Sequence, residues 1–249
     1  MMILLSSASQ IITIATTKML KTLILWCSAK SLLALVNADL IPQLIKNLNP
    51  LSFSFTEAED IHINIMKSIR NSLWLAAANG LEFLEIKDGD EQQAVYETVF
   101  KQVLVPSEKY LCQFCVNRFS IVDGKQSENF LELIPQLLRI CPYYQPTMEF
   151  ILHMPVFITI PSCLTFFENC ESMINFLNDM NYIQQEWNME GGEVRQGWKT
   201  VLRMLRMEGF EDVIGEKLQN DTTKFYGRSI VDESIECNNE LGMNLPRLW

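Results

Sequence analysis

The chain has 249 residues, of which 48% are hydrophobic and 20% charged, with 10 Gly and 9 Pro. That balance excludes a disordered chain, and so few turn formers argue against a sandwich or barrel, which needs a turn signal about every ten residues. A net charge of −10 excludes nonspecific binding to nucleic acid, which needs clustered Lys and Arg against phosphate.

Residues 1–17 contain no charged side chain. Ser6, Ser7, Ser9 and Gln10 interrupt the apolar run, and Lys18 and Lys21 break the one window long enough to cross a bilayer. Neither a secretory signal nor a membrane span is therefore expected. The segment reads as the first helix of the fold, or as a chain starting partway through a larger array. Charge is uneven along the sequence: residues 1–50 carry four Lys and one Asp, whereas 51–100 carry nine acids and three bases. The acidic excess reads first as a solvated face and second as a surface for basic partners.

Helical periodicity dominates. Thr56-Glu57-Ala58-Glu59 forms a capping box before Ile61, Ile65, Ile69 and Leu73. Asp88-Gly89 reads as a turn, with a helix starting over Asp90-Glu91-Gln92-Gln93. Phe130, Leu133, Ile134, Leu137, Leu138 and Cys141 make one stripe at helical spacing, and Pro135 predicts that the regular helix starts there. Met173, Phe176, Leu177, Met180 and Ile183 repeat the pattern, as do Trp198, Val201, Leu202 and Leu205. Breaks are expected at Asn49-Pro50, Asn79-Gly80, Val105-Pro106, Asp123-Gly124, Pro142, Pro146, Gly191-Gly192 and Gly209, leaving helices of about 10–18 residues. Ile11–Ile14 and Val156–Ile160 are β-branched enough for short strands, but no hairpin partner is legible, and both are read as helical.

Leu40-Ile41-Pro42-Gln43-Leu44 recurs identically as Leu133-Ile134-Pro135-Gln136-Leu137, with a looser copy at Ile160-Pro161-Ser162-Cys163-Leu164. The first two copies are separated by two units of about 46 residues, within the ~40–47 period of armadillo and HEAT repeats. The stretch from Leu32 to Leu48 resembles the second and third helices of an armadillo repeat: a short apolar helix, a corner, an Ile-Pro pair and a Leu-rich helix. Leu202 to Leu218 resembles it too, with Glu208-Gly209-Phe210 at the corner and Val213-Ile214 after it. The departure is Asp39, where that family often has Gly. The resemblance implies an all-α, armadillo-like right-handed superhelix of stacked helices, an α-solenoid with irregular repeats. It would occupy 1–249 as a single helical domain or as part of a longer array.

Chemistry is sparse. Seven Cys at 27, 112, 115, 141, 163, 170 and 237 read as reduced, mostly buried thiols of an intracellular protein, cytoplasmic or nuclear. Cys112-Gln113-Phe114-Cys115 has the spacing of half a zinc site, without a second close pair. His62 and His153 are the sole histidines. A thiol-dependent helical enzyme using a Cys with His153 is the rival functional reading, but no catalytic or nucleotide motif accompanies it. Asp88-Gly89-Asp90-Glu91 lacks the ligand spacing of a calcium loop, and Glu190 and Glu193 would repel a phosphate at Gly191-Gly192. No cofactor or metal is expected.

The most suggestive surface is Arg195, Lys199, Arg203 and Arg206, spaced four, four and three along one helix beside its apolar face. Concave helical faces of repeat proteins often carry the binding groove. The expected function is a non-catalytic protein–protein interaction scaffold that holds a protein or peptide, with the basic stripe suited to an acidic segment. A solvated face paired with neighbouring Glu residues is the plain alternative.

Overall fold

The structure, a computed structural model, describes residues 15–46 save 17, 21, 24 and 25, and then 59–116, 124–165, 170–190 and 192–207. It is all-α: 90% of the described residues are helical and none is in a strand. The chain divides into two compact units, Met1–Met154 and Pro155–Trp249.

In the first unit, helical turns within 15–26 precede α1 (Ala29–Asn37) and α2 (Leu40–Lys46). Ser28 caps α1, its hydroxyl accepting from the Ser31 N–H at 3.2 Å. Between α1 and α2 the backbone of Asp39 turns left-handed, with φ 59°. Asp tolerates that region better than most side chains, so the corner forms without a glycine. Pro42 is the third residue of α2, where its missing N–H would have had no intrahelical acceptor.

Helix α3 (Glu59–Trp74) buries Ile61, Ile65, Ile69 and Leu73 as their spacing predicts. The capping residue expected at Thr56 lies outside the described residues. The break expected at Asn79-Gly80 falls earlier. The chain turns over residues 75–77, and Gly80 sits inside α4 (Ala78–Phe83). A Cβ on Gly80 would lie 2.2 Å from the Trp74 carbonyl oxygen, so this glycine serves close backbone approach rather than a turn. Helix α5 (Gly89–Val99) begins one residue before its expected start, because Asp88 is the cap and accepts from the Asp90 and Glu91 N–H groups.

Val105-Pro106 does not break the chain. A π-helical segment (Phe100–Leu104) joins α5 directly to α6 (Val105–Val116), with the Val105 N–H donating to the Phe100 carbonyl. Pro106 offers no N–H, and its ring would press on the carbonyl four residues back, that of Gln102. Widening the preceding turn relieves that clash while keeping the rod continuous. The π segment packs against α1, α2, α3 and α8.

Helix α7 (Gly124–Ile140) runs straight through Pro135, which corrects the expected start at that residue. An interior Pro costs about 3 kcal/mol or more. Here Phe130, Leu131, Leu133, Ile134, Leu137 and Leu138 are all 0% exposed, and each such side chain contributes about 1.5–3 kcal/mol. Burial therefore outweighs the lost hydrogen bond. Of the three Ile-Pro echoes, the first alone opens a helix; the others lie within α7 and α9. A 3-10 turn (Cys141–Tyr143) and α8 (Gln145–His153) follow, with Pro142 and Pro146 near their starts.

Within this unit α3 and α7 pack along each other, α2 packs on α3 and α6, and Phe114 of α6 stacks on Phe130 of α7 at 4.9 Å between ring centroids. The second unit holds α9 (Val156–Thr165), α10 (Cys170–Glu190) and α11 (Gly192–Met207). The β-branched run at Val156 is helical, as expected. At 21 residues, α10 exceeds the expected helix length. Gly192, with φ 49°, starts α11 from a conformation that glycine adopts readily. Helix α11 packs on α9 and α10, and the edge of Trp187 meets Trp198 at 5.7 Å. Ile11–Ile14 and Gly209, with the rest of the second armadillo-like corner from residue 208, lie outside the described residues.

Candidate functional site

The basic stripe lies on α11, and its position follows from the apolar seam. Trp198, Val201, Leu202 and Leu205 are 0–1% exposed, anchoring one side of the helix against α9 and α10. At about 100° per residue, Arg195, Lys199 and Arg203 span roughly 80° of the neighbouring side. The helix thus carries three cations along one edge of a buried face.

Their environments differ. Arg195 is exposed, while Lys199 and Arg203 are half-buried. The Arg203 Nε is buried and has no hydrogen-bond partner among the described residues. Nor is any described carboxylate paired with Arg195 or Arg203. The solvated, Glu-paired alternative thus has no described ion pair behind it at these two residues. Arg206 lies on the same helix, but its side chain is outside the described set. A buried N–H without an acceptor loses its hydration uncompensated, and an anionic or carbonyl oxygen placed there would restore the bond. The indole N–H of Trp198 and the side-chain oxygen of Gln184 are likewise buried with no partner among the described residues.

Cys27, Cys112 and Cys141 have different surroundings from those a nucleophile needs. A reactive Cys has a depressed pKa, whereas burial pushes the Cys27, Cys112 and Cys141 thiols up, with Glu108 adding to the effect on Cys112. Cys141 donates to the Leu137 carbonyl at 3.3 Å. His153 is exposed, and its Nδ1 lies 2.6 Å from the Glu149 carbonyl oxygen. The described hydrogen bond of His153 thus goes to its own helix and not to a thiol. Cys112 is half-buried and Cys115 buried on α6. Among the described residues, no group of three or more His, Cys, Asp or Glu could hold a metal ion.

His62 lies in the core between α3 and α6. Its ring stacks on Tyr110 at 5.8 Å, with Nδ1 3.2 Å from the Tyr110 hydroxyl, which also donates to the His62 carbonyl. Burial lowers the imidazole pKa to about 4 and pushes the Tyr110 phenol up. Both groups are neutral near pH 7, which fits a structural pair.

Two surface aromatics escaped the sequence reading. Trp26 is 85% exposed and Phe83 66% exposed. The available signal was their position beside Lys30 and the acidic run from Glu82, which sequence periodicity alone does not weigh. Among the described residues, no helix is long and apolar enough to cross a membrane. No family model matches the chain, and no curated protein or solved structure does either.

Proposed function

We propose that the chain is a non-catalytic protein-binding module of the armadillo-like, irregular α-solenoid kind, and that α11 holds an acidic peptide segment. The observation that carries the reading is the cationic edge of α11. Arg203 there has a buried Nε without a described acceptor, and Arg195 is exposed one helical face away from the core. An incoming carboxylate would pair with the exposed Arg195 guanidinium and meet further positive charge on Lys199 and Arg203.

Two features support the solenoid part. When α5, the π segment and α6 are counted as one rod, the contacts of α2 with the rod and of α3 with α7 each skip two intervening helices. A three-helix repeat would place its equivalents at that interval. The left-handed corner at Asp39 occurs where the armadillo resemblance expects Gly. The spacing is irregular, since α3 begins at Glu59 and α7 at Gly124, farther apart than the family's ~40–47 residues.

The test is fluorescence anisotropy with a labelled Glu/Leu peptide and a Lys/Leu control of the same pattern. Expected are binding of the acidic peptide and at least tenfold weaker binding to the Lys199→Glu and Arg203→Glu variants. Undiminished binding by both variants would remove α11 from the function.

A further inference from the structure

Three large apolar side chains are exposed along one short stretch: Met19 at 54%, Leu23 at 43% and Trp26 at 85%. Their spacing of four and three residues places them on one stripe of a helix. Phe83, 66% exposed, is steadied by its ring contact with Trp74, 5.6 Å between centroids. The Lys30–Glu85 ion pair, at 2.7 Å, joins α1 to the loop that follows α4. Lys30 lies four residues beyond Trp26, and Glu85 two beyond Phe83. Glu85 reaches across from a left-handed backbone, with φ 64°, which fixes the loop beside Phe83.

Beside Met19 the exposed charge is basic, Lys18, and beside Phe83 it is acidic. From residue 82 to 91, Glu82, Glu85, Asp88, Asp90 and Glu91 are exposed against one base, Lys87. Asp88 is used in capping α5 and Glu85 in pairing Lys30, while Glu82, Asp90 and Glu91 appear in no described ion pair.

We propose that this surface docks an amphipathic segment of a partner protein, one that carries Lys or Arg beside its apolar anchors. Apolar anchors would cover Met19, Leu23 and Phe83, one cation would sit on the exposed ring of Trp26, and another would meet the carboxylates of residues 82–91. With Lys18, Lys30 and Lys87 set against the five carboxylates, the described charge remains net acidic, which disfavours an anionic lipid surface. The four exposed side chains offer roughly 500 Å² of apolar surface, and a second copy would bring the same carboxylates toward one another. A patch of that extent suits a peptide. The surface belongs to the first unit and selects the charge opposite to that preferred by α11, so it stands or falls independently of the α11 proposal.

The experiment titrates the full chain with an 18-residue Lys/Leu amphipathic peptide, its Glu/Leu counterpart and phosphatidylserine vesicles, with light scattering for self-association. Saturable binding of the Lys/Leu peptide is expected, weakened at least fivefold by Trp26→Ala with Phe83→Ala and by Glu82→Lys with Glu91→Lys. The second pair leaves the aromatics in place, so it decides the matter alone should the first variant lose helicity. Equal or better binding of the Glu/Leu peptide overturns the proposal. So do vesicle binding without Lys/Leu binding, self-association that hides Trp26, or weakening by less than fivefold.

Discussion

The two units treat their charges differently. In the first, three described cations meet carboxylates: Arg70 with Glu132, Lys30 with Glu85, and Lys101 with Glu97 one turn away on the same rod. Two of these pairs join segments far apart in sequence, Arg70–Glu132 linking α3 to α7 and Lys30–Glu85 linking α1 to the loop before α5. In the second, Arg195 and Arg203 have no described carboxylate. In the first unit the Arg70–Glu132 pair registers one helix against another. On α11, Arg195 is exposed and Arg203 half-buried beside a seam that apolar packing already holds. A cation that does not register helices is the better candidate for a ligand.

The largest test of that contrast is whether packing alone holds α11. Trp198 is 0% exposed and meets Trp187, while Phe114 is 1% exposed and stacks on Phe130. Trp198→Ala and Phe114→Ala should each cost about 3–5 kcal/mol. Hydrogen exchange read by mass spectrometry should show protection lost from α10 and α11 in the first variant, and from α6 and α7 in the second. Trp198→Phe keeps a ring against Trp187 and removes an indole N–H that has no described partner, so it should cost far less. A small effect of Trp198→Ala would mean that something other than the seam holds α11, and the contrast would fail.

A second difference concerns pH. His62, in the first unit, has a folded-state pKa of about 4 because burial disfavours the imidazolium. Unfolded, it titrates near 6.5. Between those values the unfolded chain takes up a proton that the folded chain does not. Stability is therefore fully present above about pH 6.5 and lost as pH falls toward 4, by on the order of 3 kcal/mol. Urea melts of wild type and His62→Gln across pH 4–7 isolate this contribution from that of the carboxylates. The variant should show a flatter dependence, and parallel curves would mean that His62 ionises without hindrance in the folded state.

Much of this was legible in the chain. The stripes of α3, α7 and α11 were visible because burying one face demands a 3.6-residue period, and every residue of the α11 stripe is buried. Proline and glycine were harder to read. A local rule made Pro135 a helix start, Pro106 a break and Gly80 a turn, yet each sits inside a helix. The reason is tertiary. At Pro135 burial of six neighbouring side chains exceeds the penalty, at Pro106 the backbone finds room by widening one turn, and at Gly80 the Trp74 carbonyl needs the space. Of the candidate site, the sequence showed the spacing of Arg195, Lys199 and Arg203. It could not show that Arg203 is half-buried, because exposure depends on which helices lie alongside.

The smallest effect discriminates most finely between the units. Arg70→Met removes one half of the pair with Glu132, whose side chains are 26% and 45% exposed respectively. An ion pair so accessible to water is worth about 0.2–1 kcal/mol, and the loss should vanish in a Glu132→Ala background. Arg203→Met removes a guanidinium whose Nε is desolvated without a described acceptor. Replacing an uncompensated buried polar group with an apolar one of similar length is neutral or stabilising, so stability should stay level or rise by up to about 1 kcal/mol. Urea midpoints at constant m give both numbers. If Arg203→Met destabilises as much as Arg70→Met, Arg203 is registering helices in the manner of the first unit. The orphaned donor that favours an acidic ligand on α11 would then already be satisfied within the protein.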